Sequence, residues 1–332
     1  EDTARLASTV SMCDVLVHLA GGRFDGDDED GYKMNMSFTE QLITALLSSG
    51  TVIPVFFSSS AAIQKDTPYG RAKRDASELW RTWGKEVGAT VSIQVIPHLF
   101  GEFAQPHHHT VSATFCEELA NDKPSSIQGD GVVEFVHVRE VAARIAAFIL
   151  NPMPEEEGWI HGKEITVPEL YTRLKRYRDS YRTGIFPELT SIFDKQLFNM
   201  LYATMFERMM PVPVNINSDE RGSLVEAVRS LSAGQSFFSI TKPGYIRGEH
   251  YHTRKTERFM VVKGEATVKL RKLFDDRILT YKVSGERPVY IDMPTYYTHN
   301  IENTGTEDLT TLFWTNELYT KEDPDTIPEK VG

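Results

Sequence analysis

The chain has 332 residues, enough for two domains that each bury a core. Its composition, 40% hydrophobic and 25% charged, is that of an ordinary globular protein, and a net charge of −11 argues against binding to nucleic acids or anionic membranes. Two cysteines, Cys13 and Cys116, form no disulfide framework, and no apolar run resembles a signal peptide or a transmembrane helix. A cytoplasmic location, without nucleic-acid or membrane partners, is therefore expected.

The first half alternates predicted strands and helices. A near-continuous apolar run predicts a buried strand at 13–22, and further strands are predicted at 51–57 and 90–96. Helical spacing of apolar residues predicts a helix at 35–47, and a second helix is predicted at 75–86. This alternation predicts an α/β fold with a Rossmann-like, doubly wound parallel sheet. Further helices are predicted at 112–119, 138–150, 167–177 and 188–208.

A tyrosine and a lysine between the second and third strands suggest acid–base chemistry. Tyr69 and Lys73 are four residues apart, so on a helix they share a face. An ammonium beside a phenol stabilises the phenolate, which lets the tyrosine give or take a proton. Ser60, at the end of the preceding strand, could hydrogen-bond a substrate carbonyl. Chance matches to this spacing are common on exposed helices, but here it follows a buried strand that ends in three serines.

This half resembles the extended short-chain dehydrogenase/reductases. The resemblance implies that Ser60, Tyr69 and Lys73 are the catalytic set. It also implies that NADPH is bound by Tyr69 and Lys73 together with the strand end Leu19, Ala20 and Gly21.

Two histidines match positions near the sugar nucleotide in that family. His98 stands where the family usually has an asparagine, and His137 lies in a late family motif at 135–142. The resemblance implies that both contribute to substrate binding. The family begins with a strand and a glycine-rich turn that cradles the cofactor pyrophosphate. Because the first glycine here is Gly21, we expect a segment carrying that strand and turn to precede Glu1.

The second half changes to a period of two. Pro211 and Pro213 break the preceding helix, and we place the domain boundary near Glu207, giving domains 1–206 and 207–332. Short strands at regular spacing predict a sandwich or barrel. The candidate strands are 214–216, 223–228, 235–241, 258–263, 267–271, 279–283, 288–292, 298–302 and 309–315.

Histidines and a glutamate in this half predict a metal site. His250 and His252 leave the same face of a strand, and Glu257 follows a polar run that could turn the chain back into a returning strand at 259–262. His299 is a fourth candidate ligand. Two imidazoles and a carboxylate that converge form a site for a divalent metal with nitrogen and oxygen ligands. A lone His-x-His would indicate only polar residues on a half-exposed strand.

The spacing of these residues resembles the cupin family. The positions that match its first motif are Gly244, His250, His252, Glu257 and Gly264, and those that match its second are Pro294, His299 and Asn303. Tyr296 replaces a glycine of the second motif. The resemblance implies a cupin jelly-roll barrel that binds one metal ion, with zinc expected and another divalent metal possible.

The order of the two domains resembles the bifunctional capsular polysaccharide synthesis enzymes across essentially the whole chain. This resemblance implies a homodimer with zinc in the cupin that converts a UDP-linked 4-keto-6-deoxy-N-acetylhexosamine in two steps. The cupin epimerises C3. The reductase then reduces the C4 ketone with NADPH, giving UDP-2-acetamido-2,6-dideoxy-L-talose on the route to N-acetyl-L-fucosamine of capsule or O-antigen.

The residues that move the C3 proton stay open at this stage. The proton is acidic because C4 is a ketone, and donors or a metal stabilise the enolate oxygen. His299 is a candidate for either a ligand or the base. Candidates for the acid on the opposite face are Tyr245, Tyr251, Tyr296 and Tyr297.

Two other classes of function are consistent with the sequence. One is a metal-dependent cupin oxygenase or isomerase joined to an inert α/β domain, which activity dependent on redox-active iron would favour. The other is a UDP-sugar-binding scaffold protein, which tight binding without turnover would favour. Neither explains both sets of motifs as well as the two-step enzyme does.

Overall fold

A computed structural model describes residues 3–22, 29–108, 110–127, 129–214, 216–219, 222–225, 228–231, 234–317 and 321–332. Parts of the predicted strands at 214–216 and 223–228 lie outside these residues. The helices are α1 (Thr3–Val10), α2 (Glu29–Ser49), α3 (Pro68–Val87), α4 (Val111–Ala120), α5 (Val138–Leu150), α6 (Val167–Arg182) and α7 (Ile192–Met209), with a short 3-10 turn at Ala61–Gln64.

The strands, labelled in chain order, are β1 (Leu16–His18), β2 (Val55–Ser60), β3 (Val91–Ile96), β4 (His98–Phe100), β5 (Val132–His137), β6 (Glu155–Trp159), β7 (Lys163–Thr166), β8 (Ile185–Phe186), β9 (Val212–Pro213), β10 (Ile216–Asp219), β11 (Gly222–Val225), β12 (Arg229–Ser230), β13 (Gln235–Thr241), β14 (Ile246–Tyr251), β15 (Glu257–Lys263), β16 (Glu265–Lys272), β17 (Ile278–Ser284), β18 (Val289–Met293), β19 (Tyr297–Asn303), β20 (Leu309–Thr315) and β21 (Ile327–Pro328).

The chain folds into two compact units. The first comprises Glu1–Gly101 and Gly129–Val167, and the second comprises Glu102–Gln128 and Pro168–Gly332. Among the residues described, the second unit therefore includes α4, α6 and α7 besides its strands, whereas the sequence division places residues 102–206 with the first domain. The sequence division stays a prediction about where one type of domain ends and the next begins.

The first unit is built on a parallel sheet in the order β1-β2-β3-β6. Strand β3 is buried along its whole length, and its two polar residues are hydrogen-bonded to each other: Gln94 Nε2 donates to Ser92 Oγ at 2.9 Å. Val91 and Ile93 of this strand belong to a hydrophobic core that also includes Phe57, Trp80 and Trp83. This arrangement confirms the Rossmann-like parallel sheet. A second, three-stranded sheet in the order β4-β5-β7 was not predicted.

Helix α3 begins seven residues earlier than the sequence predicted, at Pro68 instead of residue 75. The Thr67 side chain caps it by accepting from the Gly70 backbone N–H at 3.1 Å, and proline at the first helical position has the required φ. The first two turns lack the apolar spacing by which the helix was predicted. Tyr69 and Lys73 therefore lie inside the helix.

The second unit contains two five-stranded antiparallel sheets besides its helices. Their orders are β13-β20-β15-β18-β9 and β17-β16-β19-β14-β21. Alternating burial along β16 shows that one face of that strand packs on a core and the other faces outward. The predicted β-rich second half is confirmed. Among the residues described, no helix has both the length and the apolar character needed to cross a membrane.

An ion pair is buried in the second unit. Arg258 on β15 and Asp292 on β18 are 2% and 0% exposed, and the guanidinium contacts both carboxylate oxygens, at 2.6 and 2.9 Å. The Tyr181 hydroxyl of α6 donates to the same carboxylate, and the guanidinium stacks 3.7 Å from the ring centroid of Tyr290. This network fixes α6 to the sheet that contains Glu257.

Candidate functional site

Four predicted metal ligands meet in the second unit. Each offers a ligand atom, and these atoms all lie within 4.8 Å of one another. The ring centroids of the three imidazoles are 4.7 to 5.5 Å apart. The four residues are His250, His252, Glu257 and His299.

A β-bulge sets the position of His250, the first of the three histidines. Strand β14 pairs with β19, and the register shifts between Gly248 and His250, so that His250 stands opposite His299. Glu249 is the extra residue and has a φ of 60°. At Gly248 a Cβ would lie 2.6 Å from the His299 carbonyl oxygen, so this approach requires glycine.

The carboxylate comes from the other five-stranded sheet. Glu257 begins β15, which pairs with β18 and β20 and not with β14. The polar run 253–256 turns the chain, and the returning strand predicted at 259–262 is present within β15. The run carries the chain from the sheet of β14 to the sheet of β15. The cluster therefore draws ligands from both sheets.

Backbone carbonyls fix the histidine tautomers. His252 Nδ1 contacts the Asp325 carbonyl oxygen, and His299 Nδ1 lies 3.1 Å from the Tyr297 carbonyl oxygen. Because a carbonyl only accepts, both Nδ1 atoms carry the proton. In the neutral rings both Nε2 atoms are then acceptors, and they lie 3.4 and 3.6 Å from Glu257 Oε2. Three acceptors facing one another repel unless a proton or a metal cation lies between them.

The charges of the cluster agree with that geometry. Burial alone would raise the pKa of Glu257, but the hydrogen bonds that His252 and His299 donate when protonated outweigh burial and hold the pKa well below its usual range. Burial likewise acts to lower the pKa of His252, yet Glu257 raises it above its ordinary value. Burial and the two neighbouring imidazoles lower the pKa of His250 to about 4. A neutral His250 beside an ionised Glu257 is the protonation state that a metal ion requires of its ligands.

The predicted reductase residues gather at the ends of β1 and β2 in the first unit. Lys73 is 4% exposed, and its ammonium donates to the Ser58 carbonyl at 2.9 Å. Burial lowers the pKa of Lys73 to about 8. Gly21, with a φ of 121°, lies close to the side chains of Lys73 and Asn35. A Cβ at this position would be 3.2 Å from Lys73 Nζ and 2.7 Å from Asn35 Oδ1. The structure thus brings together the strand end and the lysine that were predicted separately.

Tyr69 lies one helical turn before this lysine in α3, and Ser60 lies at the end of β2. The Tyr69 ring centroid is 5.9 Å from Lys73 Nζ. Ser60 ends β2 and its hydroxyl accepts from the Ala62 backbone N–H at 3.2 Å. A Cβ at Gly70, between Tyr69 and Lys73, would lie 2.3 Å from the Ala62 carbonyl oxygen, so the turn after Ser60 packs directly on the start of α3.

The remaining predicted residues differ in exposure. Leu19 is 52% exposed and Ala20 is exposed at the end of β1, so both are accessible to a cofactor. His98 is exposed on β4, with its ring 5.9 Å from Phe135. His137 is 0% exposed, and its Nδ1 accepts from the Arg139 backbone N–H at the start of α5. Substrate binding by either histidine stays a prediction.

The candidate acids are placed unequally. Tyr245 is 65% exposed, and Tyr251 and Tyr296 are half-buried. Tyr297 is buried, and its hydroxyl donates to Glu207 at 3.3 Å. Burial, followed by the charge of Glu207, raises the pKa of Tyr297 well above its usual range, which favours a packing role for this residue.

Asp325 and Glu249 were not predicted from the sequence, although both contact residues of β14, β19 or the turn between the two sheets. Asp325 contacts His252 through its carbonyl, and the Glu249 carboxylate accepts from Asn300 Nδ2 at 2.7 Å. Asp325 lies about 70 residues along the chain from its partner, in a polar tail without any motif. Glu249 sits inside the metal motif, and its place between Gly248 and His250 was the available signal.

Comparisons with known families divide the chain in the same order. The NAD dependent epimerase/dehydratase family matches residues 1–159, and the polysaccharide biosynthesis C-terminal domain matches residues 217–327. The UDP-glucose 4-epimerase of Thermotoga maritima, solved with UDP-glucose, has a TM-score of 0.51 at 18% identity, covering 63% of this chain and 82% of that one. That likeness supports the fold of the α/β part.

Two relatives span nearly the whole chain. A UDP-2-acetamido-2,6-beta-L-arabino-hexul-4-ose reductase of Pseudomonas aeruginosa is 29% identical, over 98% of this chain and 89% of the relative. The crystal structure of the capsular polysaccharide assembling protein CapF from Staphylococcus aureus has a TM-score of 0.61 at 30% identity, over 98% of this chain and 90% of that one.

The fold and the matches define a class of protein: an epimerase/reductase-type α/β domain followed by a β-rich domain of polysaccharide biosynthesis. Within that class, the chain belongs to the family of the capsular polysaccharide assembling protein CapF.

Proposed function

We propose that this chain is a bifunctional UDP-sugar enzyme of polysaccharide biosynthesis that epimerises C3 of a UDP-4-keto-6-deoxy-N-acetylhexosamine and then reduces its C4 ketone. The observation that carries the proposal is the presence of two separate chemical sites in one chain, the four-ligand cluster of one unit and the lysine–tyrosine pair of the other. The Pseudomonas relative, by its name, reduces a UDP-linked hexulose with the keto group at C4.

The β-rich unit would perform the epimerisation as a cupin jelly-roll barrel. Its two five-stranded antiparallel sheets and the ligands drawn from both support that fold. Three imidazole nitrogens and one carboxylate oxygen suit Zn²⁺, and the facing acceptors at Glu257 Oε2 fit a cation there. A bound metal would supply a Lewis acid that stabilises negative charge on a substrate oxygen. His250, His252, Glu257 and His299 would hold it.

The α/β unit would perform the reduction. We propose that Leu19, Ala20 and Gly21 line the cofactor with Lys73, because glycine at 21 leaves room beside a buried ammonium. A nicotinamide cofactor, proposed to be NADPH, would supply hydride to C4. Tyr69 would donate the proton to the C4 oxygen, and Lys73 would stabilise the phenolate that remains. Ser60 would hydrogen-bond the same oxygen.

The substrate and assembly state follow from the family resemblance. The proposed product is UDP-2-acetamido-2,6-dideoxy-L-talose, on the route to N-acetyl-L-fucosamine. A homodimer and a cytoplasmic location stay predictions of that resemblance, and light scattering checks the first.

Product analysis tests the proposal. The full chain is incubated with the UDP 4-keto sugar, with and without NADPH, and products are identified by mass spectrometry and proton NMR. We expect C3-epimerised ketone without NADPH, and one alcohol, two mass units heavier than the ketone, with it. Tight binding of the sugar without either product would favour the scaffold function. Activity that requires iron and is lost with zinc would favour the oxygenase.

A further inference from the structure

The end of the chain crosses the candidate metal site. We call residues 323–331 the C-terminal strap. Within it, β21 pairs antiparallel with β14, and Pro328 stands opposite His250. Farther along, Val331 is 1% exposed and its backbone N–H donates to the Glu249 carboxylate at 2.9 Å. The strap is thus a packed part of the second unit and lies directly against β14, which carries His250 and ends one residue before His252.

Basic and hydroxyl side chains anchor the strap from the neighbouring strands. Arg271 on β16 donates to the carbonyls of Lys330 and Val331, both at 2.8 Å. The Thr298 hydroxyl donates to the Glu329 carbonyl. Both donors lie in the sheet of β14, so the strap is fixed to the same frame as His250 and His299.

Asp325 is the residue of the strap that contacts a ligand. Its carboxylate accepts four hydrogen bonds from the turn that joins the two sheets. Oδ1 accepts from the Thr253 N–H at 3.0 Å and from the Thr253 hydroxyl at 2.7 Å, and Oδ2 accepts from the N–H groups of Arg254 and Lys255 at 2.8 and 2.9 Å. These bonds hold the pKa of Asp325 below its usual range, against the effect of burial.

The backbone of the same residue contacts His252. The Asp325 carbonyl accepts from His252 Nδ1, and φ at Asp325 is 40°, in the left-handed region that aspartate and asparagine tolerate better than most residues. The carboxylate clamp and the carbonyl contact act on adjacent parts of one segment, 252–255. The clamp therefore sets where the carbonyl points, and the carbonyl sets the orientation of the imidazole.

We propose that Asp325 is a positioning residue for the metal centre: its carboxylate clamps the 253–255 turn so that its carbonyl fixes His252 with Nε2 directed at the metal. The inference rests on the proposed metal site. Partners that bind the second ring nitrogen of a ligand histidine orient the ligand, and their loss typically weakens metal affinity by about 10-fold to 100-fold. The strap would then affect the metal affinity of a site to which it contributes no ligand.

Metal titration of the full chain tests the inference. Zn²⁺ affinity is measured by competition with a chromogenic chelator, and ligand geometry is read from the visible absorption of the Co²⁺-loaded protein. We expect Asp325→Ala to bind Zn²⁺ about 10-fold to 100-fold more weakly and to alter the Co²⁺ spectrum. Asp325→Asn, which tolerates the left-handed backbone, and Thr253→Val, which removes one of the four bonds, should show smaller losses in the same direction.

A matched control lies in the same strap. Asp323 pairs with Arg254 Nη2 at 2.7 Å, its side chain is 66% exposed, and it is not one of the four candidate ligands. Asp323→Ala should leave the affinity and the Co²⁺ spectrum unchanged. Circular dichroism and the melting temperature of the metal-free proteins show which variants fold, and the comparison is made among those.

The possible outcomes separate the inference from the proposed function. Unchanged affinity and spectrum in folded Asp325 variants, with only a lower melting temperature, would overturn the positioning role and leave the metal site standing. If Asp325→Ala does not fold, the same result in Asp325→Asn and Thr253→Val decides equally. A wild-type chain that binds neither Zn²⁺ nor Co²⁺ would overturn the metal site and the positioning role together.

Discussion

His252 Nε2 lies 3.4 Å from Glu257 Oε2, although His252 directly follows a strand of one sheet and Glu257 begins a strand of the other. His252 is 2% exposed, and its Nε2 has no well-directed hydrogen-bond partner among the residues described. A buried acceptor beside an ionised carboxylate is unfavourable unless a cation joins them. This relationship is the strongest structural support for a metal ion in the second unit.

Removing ligands from both sheets should empty the site. We expect His250→Ala combined with Glu257→Ala to reduce the zinc content of the purified protein from about one ion per chain to near zero, because two of four ligands are lost. Elemental analysis measures this. The control pair, His161→Ala with Glu265→Ala, changes two exposed residues and should keep full zinc content. Retention of zinc by the first pair would contradict the ligand assignment.

Removing the hydroxyl of Tyr69 should separate the two chemical steps. Tyr69→Phe should lower the rate of NADPH oxidation at least about 100-fold, because the proton donor for C4 is lost. The C3 step should stay intact, because its proposed ligands lie in the other unit. Spectrophotometry follows NADPH, and NMR follows the C3 epimer.

Tyr32→Phe is the matched control for that variant. It removes a hydroxyl of the same unit, which donates to Asp75 at 2.8 Å. It should oxidise NADPH at nearly the wild-type rate. A Tyr69→Phe enzyme as active as this control would show that Tyr69 is not the donor.

Lys73 should lower the free energy of unfolding of the protein below pH 8. Burial lowers its pKa to about 8 from 10.5, so between these values the unfolded chain binds more protons than the folded one, and stability rises with pH. Below pH 8 the full penalty, about 3 kcal/mol, is present. We expect Lys73→Met to be more stable than wild type near neutral pH, by up to that amount less about 1 kcal/mol for the lost bond to Ser58.

Urea unfolding at about pH 7 and about pH 10 measures this difference. The advantage of Lys73→Met should shrink as pH rises through 8. Lys85→Met, exposed in the last turn of the same helix, should show no such change. A Lys73→Met advantage that is constant with pH would contradict a buried, cationic lysine.

The buried ion pair should be strongly coupled. Arg258→Met leaves the Asp292 carboxylate without its guanidinium partner at a fully buried position, and we expect a loss of about 3 to 5 kcal/mol in unfolding free energy. Asp292→Asn added to Arg258→Met should cost much less than the sum of the two single changes. The surface pair Arg277–Glu207 is the control, where Arg277→Met should cost less than about 1 kcal/mol. Additive single changes at 258 and 292 would contradict the coupling.

The parts of the site that could be predicted depend on local spacing. His250 and His252 share a face because a strand has a period of two, and Tyr69 and Lys73 share one because a helix turn spans about four residues. Both patterns are visible in a single segment. The parallel sheet was equally predictable, because predicted strands and helices alternate along this half of the chain.

The parts that could not be predicted depend on contacts between distant segments. Asp325 reaches His252 through a backbone carbonyl, which any residue possesses and no sequence pattern marks. Strand β15 joins the sheet that does not contain β14, and the 253–255 turn that leads to it is held by that same distant carboxylate. The start of α3 was missed for a different reason: Thr67 and Pro68 are a helix-start signal, but the first turns carry Gly70, Arg71 and Lys73 in place of regularly spaced apolar residues.

Solvent exchange at C3 tests the central claim, that epimerisation precedes and is locked by reduction. While C4 is a ketone, the C3 proton exchanges through the enolate, and after hydride reaches C4 it cannot. The full chain, given the UDP 4-keto sugar in deuterium oxide without NADPH, should incorporate deuterium at C3, and NADPH added afterwards should give a single C3-inverted alcohol labelled at C3. Rapid, clean reduction of the unepimerised ketone, with no deuterium at C3, would contradict the account.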